Sequence, residues 1–179
     1  MSPKNLSEIR LQEKRWCQKS IQTGAWLFWG PPHHPEMSAR IFPRSPREMM
    51  AGWIYLPRLI DKIRLHLAGQ LHSDYQENFL HKGFDARWIS AAGITPEAFV
   101  EVVRDCPTDG QICDWVRIHI NPTRSSERAA LNHALPLSGR DQDPAVQERL
   151  RFRKDQLGML QRDDIQTFFD CIDADEGRI

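Results

Sequence analysis

Long apolar runs are what this chain most obviously lacks. None approaches the ~20 residues that a membrane-crossing helix needs, so no membrane partner is expected. Excess charge of one sign is missing as well: 24 lysines and arginines balance 24 aspartates and glutamates. Such a surface sets up no long-range field to recruit a polyanion, and nucleic acid is not the expected partner. Cysteine is sparse and scattered, at Cys17, Cys106, Cys113 and Cys171. Cys106, Cys113 and His119 lack the close CxxC pairing of a structural zinc site, so the two thiols read as buried and inert on a helical hairpin. No secretory leader is recognisable at the start, and a reducing cytoplasm is the expected compartment. The chain has no GxSxG, HExxH, GxxxxGK[ST] or GxGxxG, which disfavours the common cofactor folds, and neither cofactor nor metal is expected. DCIDADEG, near the end, stops short of the twelve-residue calcium loop of an EF-hand.

What is present describes an ordinary folded domain. Of 179 residues, 40% are hydrophobic and 27% charged, and a chain of this size buries roughly two thirds of its unfolded surface without a disulfide or metal staple. Residues 1–36 differ from the rest. There Trp26, Phe28 and Trp29 run into Pro31, Pro32 and Pro35, which exclude regular helix or central strand. His33 and His34 read as a solvent-exposed pair. This segment is expected to be a poorly structured or appended arm, with Met37 a natural start for a single domain over 37–179.

Along that domain the punctuation is helical. Ser45 and Pro46 predict a short helix through Met49 and Met50 that ends near Gly52. Pro57 starts a helix whose Leu59, Ile60, Ile63 and Leu67 form one apolar stripe, closed by Gly69. Thr95-Pro96-Glu97 opens another with Phe99, Val102 and Val103. Thr108 with Gln111 is a capping box ahead of Ile112, Trp115 and Val116. Ser125 should cap a helix through Leu131, and Asp143-Pro144 one carrying Val146, Leu150, Leu157 and Leu160. Asp163 with Gln166 should cap a last one carrying Ile165, Phe168, Phe169 and Ile172. Between them Gly139 to Pro144 reads as a surface loop, and Trp88, at helical spacing from Phe84 and Ala92, reads as core. GWIY and VRIHI find no strand partner, so the expected fold is all-α: a compact multi-helix domain with the N-terminal arm outside it.

Charge is concentrated in three places. Arg149, Arg151, Arg153 and Lys154 form a basic run; Asp163, Asp164, Asp170, Asp173, Asp175 and Glu176 form an acidic end. Both read as solvated helix faces that partly neutralise each other. The third place is GWIYLPRLIDKIR, in which Arg58, Asp61, Lys62 and Arg64 lie off the apolar stripe. Asp61 can pair along the helix with Arg58 and Arg64, at about 0.2 to 0.5 kcal/mol per pair. The sharper reading is that Arg58, Lys62 and Arg64 hold an anion or an acidic helix end, with Asp61 orienting them, since the planar arginine fork suits carboxylate and phosphate. HSDYQENF follows, with His72, Asp74, Tyr75 and Glu77 offering acid-base side chains; its plainer reading is a polar loop with Tyr75 and Phe79 turned inward.

FPRSPREMMAGWIYLPRLIDKIR, from Phe42 to Arg64, resembles the opening signature of a bacterial family of domains of unknown function, PRSP followed by G and LPRxIDKxR. GITPEAFVEVV, TDGQICDWV and DIQTFFDCIDADEGR continue the resemblance, from roughly Ser38 to Arg178. It implies no activity, cofactor or catalytic residue, but it marks Pro57, Arg58, Asp61, Lys62 and Arg64 as positions that matter. The expected function is a small helical binding module that presents Arg58, Asp61, Lys62 and Arg64 to a small anionic ligand or a protein partner. The alternative is an enzyme on a small anionic substrate, with Asp61, His72 and Tyr75 handling protons. An enzyme requires His72 or Tyr75 to share a concave pocket with Arg58 or Lys62.

Overall fold

Met50 and Trp53 face each other across a two-residue turn, because Ala51 and Gly52 both take left-handed backbone, with φ of 52° and 82°. That is the turn geometry matching the twist of a tight hairpin. The computed structural model describes residues 40–140 and 143–179. The expected N-terminal arm, with Cys17, Trp26, Phe28, Trp29, His33 and His34, lies outside the described residues. In place of the helix expected after Ser45, a bend leads into β1 (Met49–Met50), which pairs antiparallel with β2 (Trp53–Ile54). GWIY therefore has a strand partner, and it is the MM that the Ser-Pro signal had assigned to a helix. Two asparagines fix the hairpin from outside: Asn121 donates to the Ala51 carbonyl at 3.0 Å, and Asn132 donates to that of Gly52 at 2.7 Å.

Everything else regular among the described residues is helix, and the domain is all-α apart from this hairpin. The helices are α1 (Leu56–Leu67), α2 (Ser73–Gln76), α3 (Gly83–Ala92), α4 (Pro96–Asp105), α5 (Asp109–His119), α6 (Ser125–Leu137), α7 (Pro144–Gln156) and α8 (Phe168–Asp175). Pro57 stands in the first turn of α1, Thr95 caps α4 through the Ala98 amide, and Thr108 with Gln111 forms the reciprocal box of α5. The stripe of α1 is buried at Leu59, Ile60 and Ile63, while Leu67 at its end is 39% exposed.

Five boundaries differ from expectation. Ser125 does not cap α6 but is its first residue, with Arg124 at the cap position and no side-chain capping bond. A short α2 interrupts the polar loop. Helix α6 runs past Leu131 to bury Leu135 as well. Gly158 takes left-handed backbone just after α7, so Leu157 and Leu160 lie beyond it. The box of the last helix is Thr167 with Asp170, four residues after Asp163, because the Asp170 carboxylate accepts from the amides of both Gln166 and Thr167.

The core gathers α1, α3, α4, α5, α6 and the hairpin around Trp53, Trp88 and Phe99. The two tryptophan rings meet edge to face at 5.4 Å, a geometry aromatic pairs prefer. Cys106 and Cys113 are half-buried rather than sealed, and only Cys171 is fully buried among the described cysteines. Among the described residues no helix is long and apolar enough to cross a membrane.

Candidate functional site

The charges of α1 are not presented to solvent. Arg58 and Lys62 are 3% and 4% exposed, because Leu56, Leu59, Ile60 and Ile63 draw that whole turn into the core. A cation moved there is costly unless it is paired and hydrogen-bonded, and each finds a carboxylate from a distant part of the chain.

Lys62 meets Asp85, in the first turn of α3, at 2.5 Å. The other Asp85 oxygen accepts from the Tyr55 hydroxyl at 2.7 Å, and the Leu80 amide donates to the oxygen shared with Lys62 at 3.0 Å. Tyr55 and Leu80 are both held in left-handed backbone, at φ 71° and 62°. For bulky residues that conformation costs about 1 to 3 kcal/mol, so two strained residues converge on one buried carboxylate. Burial pushes the Lys62 ammonium below its ordinary range, and the pull of Asp85 opposes this without cancelling it. Burial, followed by Asp85, holds the Tyr55 hydroxyl well above its usual range.

Arg58 receives Glu176, just past the end of α8, in a two-pronged grip of 2.5 and 2.9 Å. The Tyr75 hydroxyl donates to the same carboxylate at 2.7 Å, and Arg178 donates to its other oxygen. The Tyr75 ring lies between 5.5 and 5.9 Å from the charged heads of Arg40, Arg58 and Lys62, within cation–π range. Burial alone would raise the Glu176 carboxyl; hydrogen bonding and charge from Arg58, with Tyr75 and Arg178, outweigh it and hold it below the ordinary value. Tyr75 is pushed up to about 12, first by burial and then by Glu176.

A second tier lies nearer solvent. Arg44 reaches Asp61 with two side-chain nitrogens, both at 2.8 Å, and Asp109 with a third at 2.7 Å. Arg64 takes the other Asp109 oxygen at 2.6 Å. Burial pushes Asp109 up, and hydrogen bonds from Arg44 and Arg64 turn that into a net depression. Asp61 thus pairs with Arg44, 17 residues back, rather than with its helix neighbours Arg58 and Arg64. Ser45 donates to Asp173 at 3.0 Å, tying the start of the domain to its end.

The structure brings Arg58, Lys62 and Tyr75 together, with Asp61 and Arg64 one tier outward, and leaves His72 exposed beside Asp74. It also adds residues that sequence reasoning missed: Asp85, Tyr55, Arg44 and Asp109. An aspartate in a helix's first turn, as at Asp85 and Asp109, is the sole local signal, and it reads as dipole compensation. Glu176 was visible only as part of an acidic end. Grooves occur between α3 and α6 and beside α7, and neither is lined by Arg58, Lys62 or Tyr75.

The model of the domain of unknown function DUF5069 matches residues 40–178. The chain belongs to this family. No curated protein matches the chain. The matched span takes in both partners of each long-range contact above, from Arg44 and Ser45 through α1 to Glu176 and Arg178. Within this member of the family, the two ends of the domain are each other's ligands.

Proposed function

We propose that the domain is a small helical binding module for an anionic ligand or an acidic protein partner, in which α1 and the acidic C-terminal segment build a fixed surface. The observation that supports this is the seat of Glu176: an arginine fork and a tyrosine hydroxyl grip a carboxylate, as a receptor for one would. The chain's own glutamate fills that seat, so recognition falls to more exposed arginines, Arg47 beside Asp170 and Asp173 of the acidic segment and Arg64 at the end of α1. Arg47 and Arg64 keep 44% and 33% of their side chains exposed. Each guanidinium carries five N–H donors, and Arg64 has committed only part of its set, to Asp109 and the Pro107 carbonyl. An oxyanion can therefore bond outward without undoing the clasp.

The enzymatic alternative draws on Tyr75 lying beside Lys62. Against it, Tyr75 is protonated at neutral pH, its hydroxyl is donated to Glu176, and Arg58 and Lys62 are closed off from substrate. The test is thermal shift of the full chain with an oligoglutamate peptide and with phosphorylated and carboxylate metabolites, beside Arg47→Ala, Arg64→Ala. A ligand at a hundred times its Kd stabilises by about 2.7 kcal/mol. A shift that the double variant loses supports the reading. No shift, or one the variant keeps in full, sinks it.

A further inference from the structure

Leu150, Leu160 and Ile165 floor a groove of about 320 Å³ beside α7, and Arg151 and Lys154 stand on its rim. The volume is at the small end of the roughly 300 to 1,000 Å³ of small-molecule sites. Its shape depends on Gly139. A side chain there would put its first carbon 2.9 Å from a Leu150 methyl and 3.1 Å from the Thr167 backbone, at a φ of 109° that favours glycine.

Three features give the groove a chemical preference. Among the described residues no carboxylate lines it, unlike the groove between α3 and α6, where Arg87 and Glu127 offer both signs. The Lys154 ammonium is held by the carbonyls of Arg162 and Ile165 at 2.8 and 3.2 Å, which fixes its position and leaves one of its three donors uncommitted. Arg151 is exposed and has no acidic partner among the described residues. An apolar floor whose polar lining is two cations and the neutral Gln147 amide is complementary to a molecule with an apolar chain and one anionic head.

We propose that this groove binds a free medium-chain carboxylate, its chain on Leu150, Leu160 and Ile165 and its head between Arg151 and Lys154. The site is lined by neither Arg47 nor Arg64, so either proposal can fail alone. The test is calorimetric titration of the full chain with octanoate, acetate and octyltrimethylammonium, with amide chemical shifts recorded alongside. Octanoate should bind at least tenfold more tightly than either control, and its shifts should map to α7 and residues 160–165. Arg151→Ala, which removes no hydrogen bond or ion pair among the described residues, should weaken octanoate about tenfold, as expected for a charge-assisted hydrogen bond. Leu160→Ala should weaken it severalfold, and Arg64→Ala should leave it unchanged. Equal binding of octanoate and octyltrimethylammonium, octanoate affinity unchanged in Arg151→Ala, or shifts confined to another face would overturn the proposal.

Discussion

Helices α1 and α7 have similar ingredients and opposite fates. Each carries a proline in its first turn and several basic residues, with one acid in α1, Asp61, and two in α7, Glu148 and Asp155. In α1 the cations that enter the core are matched by carboxylates from far away, Asp85 being 23 and Glu176 118 residues distant. In α7 only Leu150 is buried, Arg149 and Arg151 have no acidic partner among the described residues, and Phe152 is 60% exposed. Charge content does not separate the two. What separates them is the apolar stripe: Leu59, Ile60 and Ile63 are strong enough to pull Arg58 and Lys62 in, whereas a lone Leu150 is not. Once a cation is pulled in, desolvation makes its partner obligatory.

The contrast can be broken most forcefully at Asp85. Asp85→Ala strands the Lys62 ammonium and the Tyr55 hydroxyl in a closed interior, and urea unfolding should show a loss of about 3 to 5 kcal/mol. Glu176→Gln keeps the shape but removes the charge facing Arg58, at a cost of about 2 to 3 kcal/mol by the same measurement.

Acid should do reversibly what that substitution does permanently. Glu176 and Asp109 have depressed folded-state values. The stability they contribute is fully present above the ordinary carboxylate range near 4 and is lost as pH falls through the lower folded values. Unfolding midpoints measured from pH 6 downward should therefore drop steeply below about pH 4, and less so in Glu176→Gln. Thr167→Ala removes one half of a capping box, and about 1 kcal/mol should go with it in the same unfolding assay. Smallest of all, Arg149→Ala, Arg151→Ala and Arg153→Ala together should change stability by no more than about 0.5 kcal/mol per site, because no buried charge depends on them. A large loss from that triple variant would erase the distinction between the helices.

How far the sequence could be read varied with the range of the interaction. The caps at Thr95, Thr108 and Asp143 were legible because a cap and its amide are two or three residues apart. The hairpin was not: Ser45-Pro46 is a sound turn start, and the Ser45 oxygen does accept from the Arg47 amide, but only one turn forms before Met49 and Met50 pair with Trp53 and Ile54, and the hydroxyl also donates to Asp173, 128 residues on. Asp163 fails as the last cap for a related reason, since Thr167 offers the same chemistry with Asp170 placed to answer it. For the candidate site, the sequence singled out α1 and read its cations as holders of an anion or an acidic helix end; in the structure Arg58 holds Glu176, just past the end of α8. It gave no sign that Asp85 would be the partner of Lys62.

The sequence by itself determined an all-α domain, most of its helix starts, and the membership of Arg58, Asp61, Lys62 and Arg64 in one charged helix, because caps, stripes and prolines act over a single turn. Tertiary structure decided which of those charges are sealed, which carboxylates answer them, and which basic helix stays exposed. Burial depends on what packs from elsewhere in the chain, and the electrostatic consequence of a residue is set by that burial.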